Sequence, residues 1–136
     1  MSIVGIETEI QKAVVARLRG NAPMVAAVAG GFRDEAAQPP VYPWVQVGEA
    51  TATKDATFTE DCRNVLMRMH VWSRYAGSKQ ASDIMALMGD LLDEYNLSVS
   101  GAVLESCEVE QTQVLRDPDG ITRHGVFDLR VRVASA

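Results

Sequence analysis

The chain has 136 residues and a mass of 14.8 kDa, which fits one compact domain spanning residues 1–136 and leaves no room for a second. With 47% hydrophobic and 23% charged residues, its composition is typical of a folded globular protein and argues against intrinsic disorder. The formal net charge of −5 argues against a surface that binds duplex DNA, because phosphate contacts need clustered Lys and Arg.

The sequence offers no targeting or membrane-spanning segment. No apolar run approaches the roughly 20 residues needed to cross a bilayer. The first ten residues carry Glu7 and Glu9 and lack the basic flank and apolar core of a signal peptide. Cys62 and Cys107 have no paired spacing and are expected to be reduced thiols. We therefore expect a protein that is assembled in the cytoplasm and makes no membrane contact.

The first half of the chain predicts two helices and a strand. Apolar residues recur at steps of three and four from about Ile3 to Arg19, which predicts an amphipathic helix. Asn21 and Pro23 then predict the N-terminus of a short second helix. Three prolines exclude regular helix just before Trp44, and a strand is predicted over 44–53.

The middle of the chain predicts a loop, a strand and a long helix. The polar, threonine-rich segment 54–61 predicts a loop or the tip of a long hairpin. The segment 63–75 alternates most clearly, with four apolar residues on one side and mixed apolar and basic residues on the other. Ser78 is the expected N-cap of the second long helix, and Asn96 its expected left-handed stop.

The last third predicts a hairpin. Strands are expected over about 103–115 and 121–133, joined by a turn from Asp117 to Gly120. In that turn the Asp117 side chain is expected to bond back to the backbone. The whole order of elements predicts an α+β fold in which an antiparallel sheet of about four strands packs against two main helices. An open sheet of this kind has two unprotected edges, and copies that pair edge to edge can close into a ring.

Candidate chemistry is sparse. The two histidines, His70 and His124, allow a nucleophilic pair with Cys62 or Cys107, and a small thiol hydrolase using Cys107 and His124 is one alternative. Satisfied or solvated histidines beside inert thiols are the simpler interpretation. No ligand spacing typical of a metal site and no phosphate-binding loop are present, so no catalytic residue and no cofactor are predicted.

Three stretches carry a family resemblance. They are Tyr42-Pro43-Trp44-Val45 running into Gly48-Glu49, His70-Val71-Trp72-Ser73-Arg74 with Gly77, and Val114 to Gly125, which contains the Asp-Pro-Asp-Gly turn. In this order and spacing the chain resembles the tail-terminator, or tail completion, proteins of siphophages, prophages and gene transfer agents. The resemblance covers about residues 6–133, and its third stretch is the most specific.

The resemblance implies a structural role similar to that of the lambda-type tail terminator. Such proteins form a hexameric ring that caps the tail tube, stops its polymerisation and joins the tail to the neck. The implied partners are further copies of the chain, the tail tube protein and a neck or head-closure protein, while DNA passes through the lumen without specific binding. The implied location is the head–tail junction of a virion or gene transfer agent particle. Another neck component, either a head-closure or an adaptor protein, is an alternative role.

Ten residues are expected to contact neighbouring copies or partner proteins. They lie in the segment 54–61, on the sides of the strands opposite their apolar faces, and around the last turn. The candidates are Lys54, Asp55, Thr57, Phe58, Trp72, Arg74, Arg116, Arg123, Arg130 and Arg132.

Overall fold

The computed structural model describes residues 3–55 and 61–135. The helices are α1 (Ile6–Arg19), α2 (Ala22–Ala27) and α3 (Lys79–Leu92). The strands are β1 (Phe32–Arg33), β2 (Trp44–Lys54), β3 (Cys62–Ser73), β4 (Ala102–Arg116) and β5 (Arg123–Ser135). None of the helices in these two ranges combines the length and apolarity needed to cross a membrane.

The strands form one five-stranded sheet in the order β1-β2-β3-β5-β4. The four long strands pair antiparallel, which confirms the predicted α+β class with two main helices. The fifth strand was not predicted: Phe32 and Arg33 pair in parallel with Val45 and Gln46 at the β2 edge. Two residues are too few for an alternation signal, so only the tertiary pairing defines this strand.

One face of the sheet is covered by the helices, as the alternation predicted. Met67 and Met69 on β3 and Phe127 and Leu129 on β5 are fully buried there. Helix α1 presents a stripe that includes Ile10, at steps of three and four residues, to the same core. Because successive side chains of a strand point to opposite faces, the residues between these core positions lie on the other side of the sheet.

Helix α3 ends earlier than predicted. The last helical residue is Leu92, and the left-handed residue is Glu94, with φ 55°, instead of Asn96. Contacts with β4 explain the difference: the Glu94 backbone N–H donates to the Cys107 carbonyl over 2.7 Å. These tertiary hydrogen bonds override the local stop signal. The Ser78 side chain also makes no capping hydrogen bond, contrary to expectation.

The turn between β4 and β5 has the predicted position but a different internal anchor. Gly120 donates its N–H to the Asp117 carbonyl and has a φ of 76°, which glycine adopts without strain. The side chain that bonds back to the backbone is that of Asp119, not Asp117. Asp119 accepts the N–H groups of Ile121 and Thr122, each over 2.8 Å. These hydrogen bonds lower the pKa of the Asp119 carboxyl, with the Thr122 backbone contributing most.

Candidate interaction surfaces

The sheet has a second face that no helix of the described chain covers, and we call it the uncovered face. It is built from alternate residues of β2, β3, β5 and β4. Its main side chains are Trp44, Gln46, Leu66, Arg68, His70, Trp72, Glu108, His124, Asp128, Arg130 and Arg132. Charged groups occupy one half of this face, and aromatic and imidazole rings occupy the other.

A bidentate ion pair lies at the centre of the uncovered face. Arg68 donates from Nε and Nη2 to the two carboxylate oxygens of Asp128 over 2.8 and 3.1 Å. The two residues are register partners on β3 and β5. The Asp128 side chain is only 7% exposed, whereas that of Arg68 is 43% exposed, so the arginine shields the carboxylate from water. This hydrogen bond to Asp128 raises the pKa of the Arg68 guanidinium.

Two further arginines of the uncovered face are also paired with acids. Arg130 lies 2.5 Å from Glu110 on β4. Arg132 contacts Asp55 and lies 3.4 Å from Glu105. Both arginines occupy alternate positions of β5 and so lie on the same face, and their positive charge is balanced within the subunit.

Four rings form a stack on the other half of the uncovered face. The Trp44 and Trp72 ring centroids are 6.4 Å apart, and those of Trp72 and His124 are 4.0 Å apart with an interplanar angle of 8°. The His70 ring lies 4.8 Å from that of His124. Trp72 donates its indole N–H to Gln46 over 3.0 Å. Trp44 is almost fully buried, and Trp72 is half-buried.

The two histidines are hydrogen-bonded to each other. Nδ1 of His70 lies 2.6 Å from Nε2 of His124, and Nε2 of His70 lies 3.6 Å from a Glu49 oxygen. Burial, followed by the charge of His70, lowers the pKa of His124. Gly48 makes the arrangement possible, because a Cβ there would lie 2.3 Å from the Arg68 carbonyl oxygen and 3.0 Å from the His70 ring.

The stem of the β2–β3 hairpin is held by polar contacts. Asp55 donates its N–H to the Cys62 carbonyl over 2.9 Å and accepts from the Asn64 side-chain amide over 3.2 Å, in addition to its contact with Arg132. Lys54 is exposed at the end of β2. The candidates Thr57 and Phe58 lie outside the described residues.

The opposite end of the sheet carries three arginines. Arg116 and Arg123 are directly opposite each other on β4 and β5, and both donate to the Gly120 carbonyl oxygen. Arg74 is exposed, and its guanidinium lies 4.6 Å from the centre of the Tyr42 ring. Like charges directly across a strand pair disfavour each other, so this end is available for an acidic partner.

Seven of the eight candidates in the described part of the chain therefore form two groups and not one site. Asp55 and Arg132, with Lys54 nearby, lie at the hairpin stem. Trp72, Arg74, Arg116 and Arg123 belong to the opposite end of the sheet, and Arg130 lies between the two groups. The His70–His124 contact and the Arg68–Asp128 pair were not predicted. The alternation over 63–75 had placed Arg68 and His70 on its mixed side, but it assigned no face to His124, and only the β3–β5 register brings these residues together.

The two outer edges of the sheet differ in how they are closed. On β4, the Cys107 carbonyl and the Val109 N–H are satisfied by Glu94 and by the Asp93 side chain. The rest of β4 from 110 to 116 has no strand on its outer side in the described chain. On β2, only Val45 and Gln46 pair with β1, so the stretch 47–54 has no strand on its outer side within these ranges, and the Gly48 carbonyl oxygen accepts a hydrogen bond from the Gln11 side chain over 3.1 Å.

The geometry does not support the thiol hydrolase alternative. Cys107 lies opposite Val131, while His124 lies seven residues away along β5, a distance of about 23 Å at the usual rise per residue. The Cys107 thiol lies 3.3 Å from the Leu92 carbonyl oxygen, to which it donates, and burial raises its pKa to about 11. Cys107 is therefore a buried thiol with a raised pKa, and His124 does not lie beside it.

Comparisons with known proteins give a consistent result. A family model described as "Tail completion protein gp17" matches residues 12–134. The tail completion protein gp17 of Bacillus phage SPP1 is 27% identical over 124 residues, 91% of each chain. A chain in the structure "Virion of native gene transfer agent (GTA) particle" matches with a TM-score of 0.84 and 22% identity, covering 92% of this chain and 94% of that one. The structure of the SPP1 gp17 protein matches with a TM-score of 0.62 and 26% identity, covering 94% and 90%.

Proposed function

Since the chain belongs to the tail completion protein gp17 family, we propose that it is the tail terminator of a phage or gene transfer agent particle. As a member of this family it is a structural tail protein and not an enzyme. In the proposed role, copies of the subunit close into a ring on the end of the tail tube. The ring, with six subunits as the expected number, stops polymerisation of the tube and joins the tail to the neck.

The observation that carries the ring proposal is the pair of open sheet edges. The open edges, 47–54 of β2 and 110–116 of β4, contain no proline, and a lysine stands only at the last residue of β2, Lys54; natural edge strands often use these two residue types to block pairing with another chain. The edges belong to opposite sides of the sheet. A contact between two different edges is heterologous, and such contacts close into a ring when the rotation between subunits allows it.

The charge distribution supports a lumen through which DNA passes without specific binding. Arg68, Arg130 and Arg132 are each neutralised by a carboxylate on the uncovered face. A surface whose arginines are already paired releases few counterions on meeting a phosphate backbone, so it retains DNA weakly. The net charge of −5 also weakens DNA binding, because it repels the phosphate backbone.

The remaining candidate residues are proposed to meet the protein partners. The segment 54–61, held at its stem by Asp55 and Arg132, is proposed to contact a neighbouring copy or to line the lumen. Arg74, Arg116 and Arg123, at the opposite end of the sheet, are proposed to meet an acidic surface of the tube or neck protein. Trp72, which stacks on His124, would then stabilise this end of the sheet.

Particle assembly tests the terminator role. In a strain that lacks the gene, electron micrographs are expected to show tails of uncontrolled length or tails separated from heads, and the subunit is expected by labelling at the head–tail junction. Normal joined tails in that strain would contradict the proposal. Label confined to the connector, away from the tube end, would favour a head-closure or adaptor protein instead.

Edge-directed variants test the ring contact. A lysine on an edge strand disfavours pairing with another strand, so Thr51→Lys on β2 and Thr112→Lys on β4 should each reduce oligomers measured by native mass spectrometry. Ala26→Lys, on an exposed position of α2, is the matched control that adds the same charge. Equal oligomer content in all three variants would contradict the edge-to-edge arrangement.

A further inference from the structure

The uncovered face contains a titratable contact that the terminator role does not use. His70 on β3 and His124 on β5 lie on adjacent strands, and their nearest ring nitrogens are 2.6 Å apart. At this distance one nitrogen donates a proton and the other accepts it with a lone pair. The contact therefore exists when both rings are neutral or when one is charged. Two imidazolium rings would bring two N–H groups face to face, without an acceptor between them.

We propose that the His70–His124 pair is a proton-sensitive clasp, which joins β3 to β5 on the uncovered face and opens when both rings carry an extra proton.

The charged groups around the pair are of both signs. From β2, a Glu49 carboxylate oxygen lies 3.6 Å from the outer nitrogen of His70. Near His124, Asp117 favours the charged form, whereas Arg68 opposes it. Asp128 is already bound to Arg68 in a bidentate pair. A charge on His124 thus has to form on a half-buried ring, beside His70 and near the positive charge of Arg68.

The surroundings also limit how the rings can move apart. The His70 ring packs closely against Gly48: a Cβ at position 48 would lie 3.0 Å from this ring. The Trp72 indole stacks on His124 with an interplanar angle of 8°. Moving the His124 ring out of its plane to separate the two N–H groups would disturb the Trp72–His124 stack as well as the hydrogen bond.

The sign of the effect on stability follows from proton binding. An unfolded chain binds a proton on each histidine with a pKa near 6.5, whereas the folded pair resists its second proton. The unfolded state thus holds more protons, and the folded state loses stability as the pH falls below about 6.5. The chain has only two histidines, and its carboxyl groups titrate mostly at lower pH. The change between pH 7.5 and 5.5 therefore reports mainly on this pair.

Thermal unfolding of the full chain at pH 7.5 and 5.5 tests the clasp. The melting temperature of the wild type should fall by about 5 °C over this interval, and that of His124→Gln by less than half as much. Glutamine keeps a polar side chain at position 124 but takes up no proton in this range. Glu110→Gln, which removes an exposed ion pair of the same face, is the control and should keep the wild-type fall.

A spectroscopic measurement keeps the proposal testable if His124→Gln does not fold. In the wild type, imidazole resonances followed by NMR should titrate in two separate steps, the lower one accompanied by a change in the Trp72 indole signal. In His70→Gln, the remaining His124 should titrate closer to 6.5. Two independent titrations near 6.5, with the Trp72 signal constant and the same melting shift in every variant, would overturn the proposal.

Discussion

Strands β3 and β5 have two faces that are stabilised by different physics. On the covered face, Met67 and Phe127 are fully buried against helices, and their contribution depends on the volume they fill. On the uncovered face, their chain neighbours Arg68 and Asp128 form an ion pair whose value depends on geometry and partial shielding. One strand can therefore hold the core with every second residue and use the others for charge balance and recognition. The two faces should respond differently to the same kind of substitution.

The largest difference in stability is expected when one apolar side chain is truncated on the covered face and another on the uncovered face. Phe127→Ala removes a fully buried ring and should lower the free energy of unfolding by about 3–5 kcal/mol. Leu66→Ala truncates a side chain that is 36% exposed on the uncovered face and should cost less than about 1 kcal/mol. Denaturant unfolding of both variants measures the contrast. Similar losses would mean that the uncovered face is packed like a core.

A smaller loss of stability is expected at Gly48, where the backbone of β2 comes close to that of β3. The Cβ of Gly48→Ala would lie 2.3 Å from the Arg68 carbonyl oxygen, so β2 or β3 has to shift, at a cost of about 1–3 kcal/mol. Gly89→Ala is the matched control, since a Cβ at this position of α3 meets nothing within 4 Å. It should be neutral or slightly stabilising. A stability of Gly48→Ala equal to that of the wild type would contradict the close approach of His70.

The two ion pairs of the uncovered face should contribute differently to stability, because they differ in burial. Asp128→Asn leaves a buried amide with a weaker bond to Arg68 and should cost about 1–2 kcal/mol. Glu110→Gln removes the partner of Arg130, where both side chains are more than 40% exposed, and should cost less than about 1 kcal/mol. Added salt should weaken the second pair more than the first. The reverse order of losses would mean that shielding by Arg68 contributes little.

Local patterns in the sequence were sufficient for the α+β class and the four long strands. Alternation placed Val65 and its apolar neighbours in the core, and the Asn21 side chain accepts the Met24 N–H as expected of an N-cap. The structure differs from these predictions where tertiary contacts determine the secondary structure. Helix α3 stops at Leu92 because the next residues bond to β4, and Phe32 becomes a strand residue only by pairing with β2.

The candidate interaction surfaces were only partly predictable for the same reason. Alternation assigned His70 and Arg68 to the uncovered face, but nothing local indicates that His124 and Asp128 are their partners on β5. A shift of the β3–β5 register by two residues would preserve every core position while exchanging these contacts. Register is a property of the folded sheet, so the ion pair and the imidazole pair could be recognised only in three dimensions.

A small effect on stability is also expected at Cys107, a covered-face residue beside the β4 edge. Cys107→Ala removes one buried sulfur atom and its weak bond to Leu92, so stability should fall by about 1 kcal/mol while particle assembly is unchanged. Because burial raises the thiol pKa to about 11, alkylation of Cys107 at pH 8 should be roughly 100-fold slower in the native protein than in the unfolded chain. Rapid native alkylation, or loss of assembly in Cys107→Ala at normal protein levels, would mean that this thiol is accessible and reactive, against the structural role of the covered face.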